Sequence, residues 1–476
     1  MTMPLSALLN QASAITADSR KVAAGSVFLA YPGEHSDGRQ YIVQAIAKGA
    51  TGVLWEANGF TWDGTWQLPN VAIADLRNQS GYIADEFYGH PSQKLWMIGV
   101  TGTNGKTSCS HWLAQALELL GRKAAVVGTL GNGFPNALSH AINTTPDPIL
   151  LHGMLADYLA QGAQSVAMEV SSHGLEQGRV NGVHFNVAVF TNLTRDHLDY
   201  HGDMASYAAA KRKLFDWDGL SCSVLNTDDD FGLKLASELQ QQGKQVLTYG
   251  LDSGDVRGLD LEFNVQGLSM QVHTPFGDAK LQANVLGRFN AYNLLAVLAS
   301  LLASDIALED AIDAVGQVKS VAGRMQQYGG GEQPLVVIDY AHTPDALEKV
   351  LKALREQASG RLICVFGCGG NRDAGKRPLM AGVASNLADK TIVTSDNPRH
   401  ENPAEIIRQV LAGMHGEYEV AEDRTLAIKT AIQSAQPQDV VLVAGKGHED
   451  YQEIAGVRYP FSDAEVVQNV LKEWLS

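Results

Sequence analysis

Gly99-Val-Thr-Gly-Thr-Asn-Gly-Lys-Thr107 lies between a short apolar run, Leu95–Val100, and a helical pattern. At a strand-to-helix turn, such a loop offers phosphate its backbone N–H groups and the positive end of the helix. Lys106 can then reach β/γ oxygens, and the Thr107 hydroxyl can ligate Mg²⁺. The strict phosphate-loop spacing asks for Gly at position 100, where Val100 stands; Gly99, Gly102 and Gly105 supply a variant loop. With its Gly-Lys-Thr end, nucleotide binding outweighs a glycine-rich turn that carries an incidental lysine. Gly102, Thr103, Asn104, Gly105, Lys106, Thr107 and Ser108 are the expected ATP loop.

Other candidates are weaker when taken alone. Glu169 ends the run Ser165–Val170, and His197 follows the run ending at Thr191; each by itself reads as a solvated loop residue. Lys211 sits on an amphipathic stretch before Arg212 and Lys213 and by itself reads as a surface lysine. Asn290 and Asn293 would cap or line a helix, while Asn143, Thr144, Thr145, Ser171, Gln177 and Arg179 read as loop caps. In Asp396-Asn-Pro-Arg399, Pro398 restricts Asn397 to extended backbone. Asn402 and Pro403 then look like the N-cap and first residue of a helix, Pro403 to Met414.

These residues need a scaffold, and the pattern describes one. Trp112, Leu113, Ala116, Leu117 and Leu120 share a helical face that Gly121 ends. The apolar runs Ser165–Val170, Val187–Thr191 and Ser223–Asn226 alternate with helical stretches, which predicts a parallel sheet with crossover helices. Leu259 to Gln282 instead alternates in steps of two, predicting antiparallel hairpins. The α/β pattern returns with Val336–Asp339, Leu362–Phe366, Thr391–Thr394 and Val440–Ala444, each run leading into a polar or glycine-rich loop of the kind that binds ligands. Seams at Tyr88–Lys94, and between Val321–Met325 and the Gly329–Gly331 run, divide the chain into 1–90, 91–324 and 325–476.

A length of 476 residues fits two to four domains, and 45% hydrophobic with 18% charged residues is ordinary for a globular protein. The charge, 36 − 52 = −16, argues against coating nucleic acid. Cys109, Cys222, Cys364 and Cys368 have no metal-site spacing, and a reducing compartment is expected. The longest apolar stretch, Leu294–Ala303, is about half a bilayer span, so no membrane insertion is expected. The first residues lack a basic region and an apolar core, which predicts a cytoplasmic protein.

The motifs together resemble the Mur ligase family. They are TGTNGKTS at 101–108, NTTPDP at 143–148, MEVSSHGLEQGRV at 168–180, FTNLTRDHLDYHG at 190–202 and YAAAK at 207–211. LGRFNAYNLLA at 286–296, GRM at 323–325, DYAHTPDAL at 339–347, FGCGGNRDAGKRP at 366–378, DNPR at 396–399 and AGKGHEDYQ at 444–452 follow in order. DSRKV at 18–22 and DGRQYI at 37–42 extend the resemblance to the first segment.

The resemblance implies three α/β domains: a small UDP-binding domain, a central parallel-sheet phosphate-loop ATPase domain with an antiparallel hairpin region, and a Rossmann-like third domain. It implies an ATP-dependent, amide-bond-forming ligase of cytoplasmic peptidoglycan synthesis, and so of cell-wall biogenesis, cell shape and division. This enzyme would add meso-diaminopimelate to UDP-N-acetylmuramoyl-L-alanyl-D-glutamate through an acyl phosphate, acting as a monomer. Lys106, Glu169, His197 and Lys211 become catalytic. Thr107, Glu169 and His197 hold Mg²⁺ together with Lys211 carbamylated by CO₂. Asn290, Arg324 and Asp339 join the ATP site, with His342 approaching it. Ser19, Glu34, His35 and Ser36 hold the uridine end of the acceptor; Asn143, Thr144, Thr145, Ser171, Gln177 and Arg179 hold the rest. Arg372, Asp396, Asn397, Pro398, Arg399, Gly445 and Glu449 take the diaminopimelate. A planar guanidinium at Arg399 suits the second carboxylate that distinguishes this amino acid from lysine, and Glu449 suits its distal ammonium.

Two rivals stand beside this. A folylpolyglutamate synthase shares the phosphate loop and lysine, but leaves DSRKV, DGRQYI and DNPR without a role. A non-catalytic nucleotide-binding protein leaves Glu169, His197 and Lys211 as coincidences.

Overall fold

A computed structural model describes residues 4–34, 36–264 and 267–474. The chain forms two compact units, one of Met1–Val256 with Ala296–Ala314, the other of Arg257–Leu295 with Val315–Ser476.

Unit 1 carries a small sheet of parallel strands, β1 (Ala14–Thr16), β2 (Ser26–Ala30), β3 (Gly52–Glu56) and β4 (Asn70–Ile73), paired in that order. Eight further strands follow: β5 (Trp96–Thr101), β6 (Ala124–Gly128), β7 (Gly131–Phe134), β8 (Ala137–Ser139), β9 (Ser165–Glu169), β10 (Val187–Phe190), β11 (Cys222–Asn226) and β12 (Val246–Gly250). They pair in the order β12-β11-β10-β5-β9-β6-β7-β8. Pairing is parallel from β12 to β6; β7 and β8 turn back antiparallel. The centre reads apolar because it is covered on both faces: every residue of β6, β9 and β10 is buried. Met97, Leu155, Met168, Phe185, Phe190 and Phe215 fill one side. Val100 lies beside Glu169 and Thr101 beside Phe190, so β5, β9 and β10 stop together and their loops share one edge.

In unit 2, β13 (Val256–Asn264), β14 (Gly267–Thr274) and β15 (Gly277–Ala283) form the antiparallel meander that alternation predicts. A second sheet contains β16 (Gln326–Gly329), β17 (Leu335–Asp339), β18 (Leu362–Phe366), β19 (Lys390–Val393), β20 (Tyr418–Val420) and β21 (Val440–Ala444), in the order β16-β17-β21-β18-β19-β20. Only β16 is antiparallel there. Gly329–Gly331, expected at a seam, makes the turn of the β16–β17 hairpin with φ of 72°, 89° and 70°. Consecutive glycines supply a left-handed turn as readily as a linker, so composition alone does not separate the two.

A short antiparallel hairpin, β22 (Tyr451–Ile454) and β23 (Val457–Pro460), follows β21. Asn402 caps the helix Pro403–Leu411 through Ala404 N–H, as its sequence predicts, though the helix ends before Met414. Arg424 and Asp463 form a wholly buried bidentate pair, both bonds 2.7 Å. The same guanidinium donates to the carbonyls of Ala444 (3.0 Å) and Ser395 (3.4 Å), tying together the loops after β21 and β19.

All four thiols are free; Cys109, Cys364 and Cys368 are buried and Cys222 half-buried. Burial pushes Cys109 far up, Cys222 to about 11, and Cys364 and Cys368 to about 12. Among the described residues no helix is long and apolar enough to cross a membrane.

Candidate functional site

The loop after β5 passes through Gly102, at φ 146°, and Gly105, at φ 87°, into the helix Lys106–Leu119. A side chain at Gly102 would collide with the Thr191 hydroxyl, so the loop can lie against β10 only with glycine there. Its shape is fixed from the β10 side: Thr103 N–H donates to Asn192 O (2.8 Å), Asn104 N–H to Asn192 Oδ1 (3.0 Å), and Thr191 Oγ1 to Asn104 O (2.6 Å). Lys106 curls over the loop and donates to the Gly102 and Thr103 carbonyls at 2.9 and 2.8 Å. An ammonium over a turn at a helix N-terminus is the arrangement a polyphosphate requires.

Lys211 corrects its isolated reading. It is 1% exposed, not a surface lysine, because the helix Met204–Arg212 turns its inner face onto the phosphate loop. Its Nζ donates to Gly102 O at 2.8 Å, so one carbonyl receives both lysines. Nζ also lies 4.3 Å from the Tyr207 ring centre, and Tyr207 OH meets Thr103 Oγ1 at 3.2 Å. Burial, then the charge of Lys106, holds the Lys211 ammonium well below its ordinary range, whereas burial pushes the Tyr207 phenol up to about 12.

Glu169 is likewise buried rather than solvated, at the end of β9 and against Gly128, whose missing side chain leaves room for the carboxylate. It accepts Thr107 Oγ1 at 3.1 Å, Thr129 N–H at 2.8 Å and Thr129 Oγ1 at 3.2 Å. A carboxylate and hydroxyls packed this closely beside a phosphate loop are the hard oxygen donors that Mg²⁺ takes, and the donor set fits that ion. His197 stands exposed at φ 54°, its ring centre 4.8 Å from that of His173 and 6.1 Å from that of Tyr207.

A second cluster extends from Glu169. Thr145 Oγ1 donates to Glu169 O (3.0 Å) and accepts Ser171 N–H (3.0 Å); Ser171 in turn caps the helix Ser172–Glu176. Arg179 donates to Thr145 O (2.9 Å) and Gln177 Oε1 (2.7 Å), while Gln177 Nε2 reaches Glu34 Oε1 (2.5 Å) and Tyr200 OH (3.2 Å). Thr144 Oγ1 meets Thr129 Oγ1 at 3.0 Å. Thr144, Thr145, Ser171, Gln177, Arg179 and Glu34 thus form one polar strip beside the phosphate loop. Asn143 and Ser36 are exposed, Ser19 bonds Gln44 Oε1 (3.0 Å) elsewhere, and His35 lies outside the described residues.

Unit 2 offers its own loop edge. Asp339, at the end of β17, accepts Met325 N–H and Ala341 N–H, both at 2.8 Å. Burial raises its carboxyl against the opposing pull of Arg324, which lies 4.7 Å over the Tyr340 ring. Asn290 is buried inside the helix Arg288–Leu302, donating to Leu286 O (2.8 Å) and accepting from Asn293 Nδ2 (2.9 Å). His342 is exposed, its Nδ1 2.8 Å from Tyr340 O.

After β19, Asn397 is 1% exposed and donates to Glu449 Oε2 (2.8 Å). Pro398 is buried beside it, and Arg399, at φ 53°, donates Nη1–H to Gly370 O (2.9 Å) with Nε 3.8 Å from Glu453 Oε2. Gly445, at φ 115°, packs against the Asp396 carboxylate, which a side chain would strike. Asp396, Asn397, Pro398, Arg399, Gly445 and Glu449 come together; Arg372 stays in solvent, on Asn371 O (3.2 Å). Sequence reasoning passed over Thr129 and Lys446. A threonine one residue past a strand carries no motif, but Lys446, inside AGKGHEDYQ straight after an apolar strand, was open to notice.

Three family models match the chain: "Mur ligase family, catalytic domain" over 11–88, "Mur ligase middle domain" over 100–301, and "Mur ligase, glutamate ligase domain" over 323–447. A curated relative from Chromobacterium violaceum, named UDP-N-acetylmuramoyl-L-alanyl-D-glutamate--2,6-diaminopimelate ligase, is 55% identical over 97% of this chain and 94% of its own. One of the same name from Pseudomonas aeruginosa is 51% identical over 100% of this chain and 99% of its own. A solved structure with that name superposes with a TM-score of 0.74 at 38% identity, covering 98% of this chain and 96% of the other.

Proposed function

The chain belongs to the Mur ligase family, and on that premise we propose that it joins 2,6-diaminopimelate to UDP-N-acetylmuramoyl-L-alanyl-D-glutamate, consuming ATP. One observation carries this: a phosphate loop and a separate Asn397–Arg399–Glu449 loop cluster occur in one chain 55% identical to a relative of that name. We propose 1–90 as the UDP-holding segment, 91–324 as the ATP segment and 325–476 as the amino-acid segment, supported by family matches at 11–88, 100–301 and 323–447. The place of action is the cytoplasm and the working form a monomer.

In this mechanism a substrate carboxylate attacks the γ-phosphorus of ATP, ADP leaves, and the amine of diaminopimelate displaces phosphate from the resulting acyl phosphate. Lys106 offsets charge on the transferring phosphoryl group, and the loop N–H groups hold the β-phosphate. Thr107, Glu169 and His197 would hold Mg²⁺, which supplies further charge neutralisation when bound. Lys211 is suited to carbamylation: burial, then the charge of Lys106, disfavours its ammonium, and the lone pair of the free amine can bond to CO₂ with loss of one proton. The strip of Thr144, Thr145, Ser171, Gln177 and Arg179 would orient the acceptor, with Ser19, Glu34 and Ser36 toward its nucleotide. Asn290, Arg324 and Asp339 would take the adenosine.

Phosphate release measured with ATP, the UDP-muramoyl dipeptide and diaminopimelate, each omitted in turn, tests the assignment. Release is expected only with all three present. Turnover that ignores the UDP-muramoyl dipeptide, or that follows a folyl acceptor and glutamate instead, would refute it.

A further inference from the structure

Lys446, the second residue past β21, is wholly buried, and an ammonium taken out of water is costly unless it is fully paired. Here Nζ donates to Glu449 Oε2 at 2.9 Å and to Asn397 Oδ1 at 3.1 Å, with the Tyr451 ring centre 5.4 Å away. Asn397 closes the triangle by donating Nδ2–H to the same Glu449 oxygen at 2.8 Å. Its Oδ1 also accepts Glu453 N–H at 2.9 Å, so reversing the amide would set its NH₂ against two donors. One orientation is therefore enforced.

The bonding is asymmetric. Glu449 spends Oε2 on Lys446 and Asn397, while Oε1 accepts no hydrogen bond among the described residues. The side chain is 16% exposed, enough for that oxygen to meet a ligand. We propose that Lys446 is a positioning residue of the amino-acid site. It anchors Glu449 and Asn397 so that Glu449 Oε1 is presented, already oriented, to an ammonium of the incoming amino acid. This rests on the assignment of unit 2 as the diaminopimelate site. The lysine itself touches no substrate; its effect is preorganisation, since a carboxylate fixed before binding loses less freedom on binding.

The test compares wild type, Lys446→Met, Glu449→Gln and the double variant by steady-state kinetics, varying diaminopimelate and ATP separately. Lys446→Met is expected to raise the KM for diaminopimelate by about tenfold or more, with the ATP KM within about twofold of wild type. In the Glu449→Gln background the same substitution is expected to add much less, because its effect runs through Glu449. Equal losses in both backgrounds, or parallel losses in both KM values, would overturn the proposal. If Lys446→Met does not fold, Lys446→Gln, which keeps N–H donors without the charge, takes its place and is expected to show the same pattern in weaker form; a wild-type KM for diaminopimelate in that variant would overturn it. Failure of wild type to consume diaminopimelate would instead sink the functional assignment itself.

Discussion

The Gly102 carbonyl receives both Lys106 and Lys211, yet the two amines have different work. Lys106 is half-exposed and, in the proposed mechanism, meets phosphate, so Lys106→Ala is expected to cut kcat on the order of a thousandfold while the thermal midpoint hardly moves. Near-normal phosphate release would disprove this. Lys211 is the opposite case. Because its folded-state pKa is depressed, the unfolded chain keeps its proton to higher pH than the folded chain does, so stability rises with pH between the two values and levels off above the ordinary lysine value of 10.5. At pH 7 Lys211 therefore costs stability. Lys211→Met should melt at an equal or higher temperature, and Lys211→Arg, unable to carry a carbamate, should be inactive. Short-chain carboxylates should partly restore Lys211→Ala. A Lys211→Arg enzyme at wild-type rate would remove the carbamate from the mechanism. Arg399 keeps N–H donors beyond the one given to Gly370, so Arg399→Ala should lower kcat/KM for diaminopimelate roughly a hundredfold and barely alter the ATP KM. An unchanged preference for diaminopimelate over L-lysine in that variant would refute the grip. At this scale the sequence was legible for Lys106, whose neighbours form a motif. It was opaque for Lys211 and Glu169, because burial depends on what a helix or strand end packs against.

Strands and helices were the easiest level to read. Apolar runs covered on both faces stand out, and Leu362–Phe366 and Val440–Ala444 match β18 and β21 end to end. Ends were harder: the helix after Asn402 stops at Leu411, since capping residues fix a start more firmly than an apolar face fixes a finish. The loop between β5 and its helix depends on one glycine. Gly102→Ala would set a side chain against Thr191 at a φ that L-residues rarely adopt, with strain of about 1–3 kcal/mol. The expected outcome is a lower melting temperature together with an ATP KM raised at least about tenfold. A variant that binds ATP normally would show that the loop can yield.

At the level of the molecule, the chain leaves unit 1 after Val256, returns for Ala296–Ala314, and leaves again. Nothing in local composition announces that return, because the apolar helix that carries it looks like any other buried helix. One side-chain bond shows its weight: Trp96 Nε1, at the start of β5, donates to Ser304 Oγ at 2.9 Å. A fragment of residues 1–256 is therefore expected to lack a cooperative thermal transition despite containing the whole phosphate loop. A fragment melting as sharply as the full chain, followed by circular dichroism, would show that the returning segment is dispensable.

The four buried or half-buried thiols have a practical side. With pKa values at or above about 11, they leave a thiolate fraction at pH 7 on the order of one in ten thousand or less. Maleimide dyes react through the thiolate, so the native cysteines are nearly silent and need not be removed. A cysteine introduced at exposed Asn58, or one at exposed Gln438, would therefore take a single fluorophore against that silent background, with about one dye per chain as the expected labelling ratio.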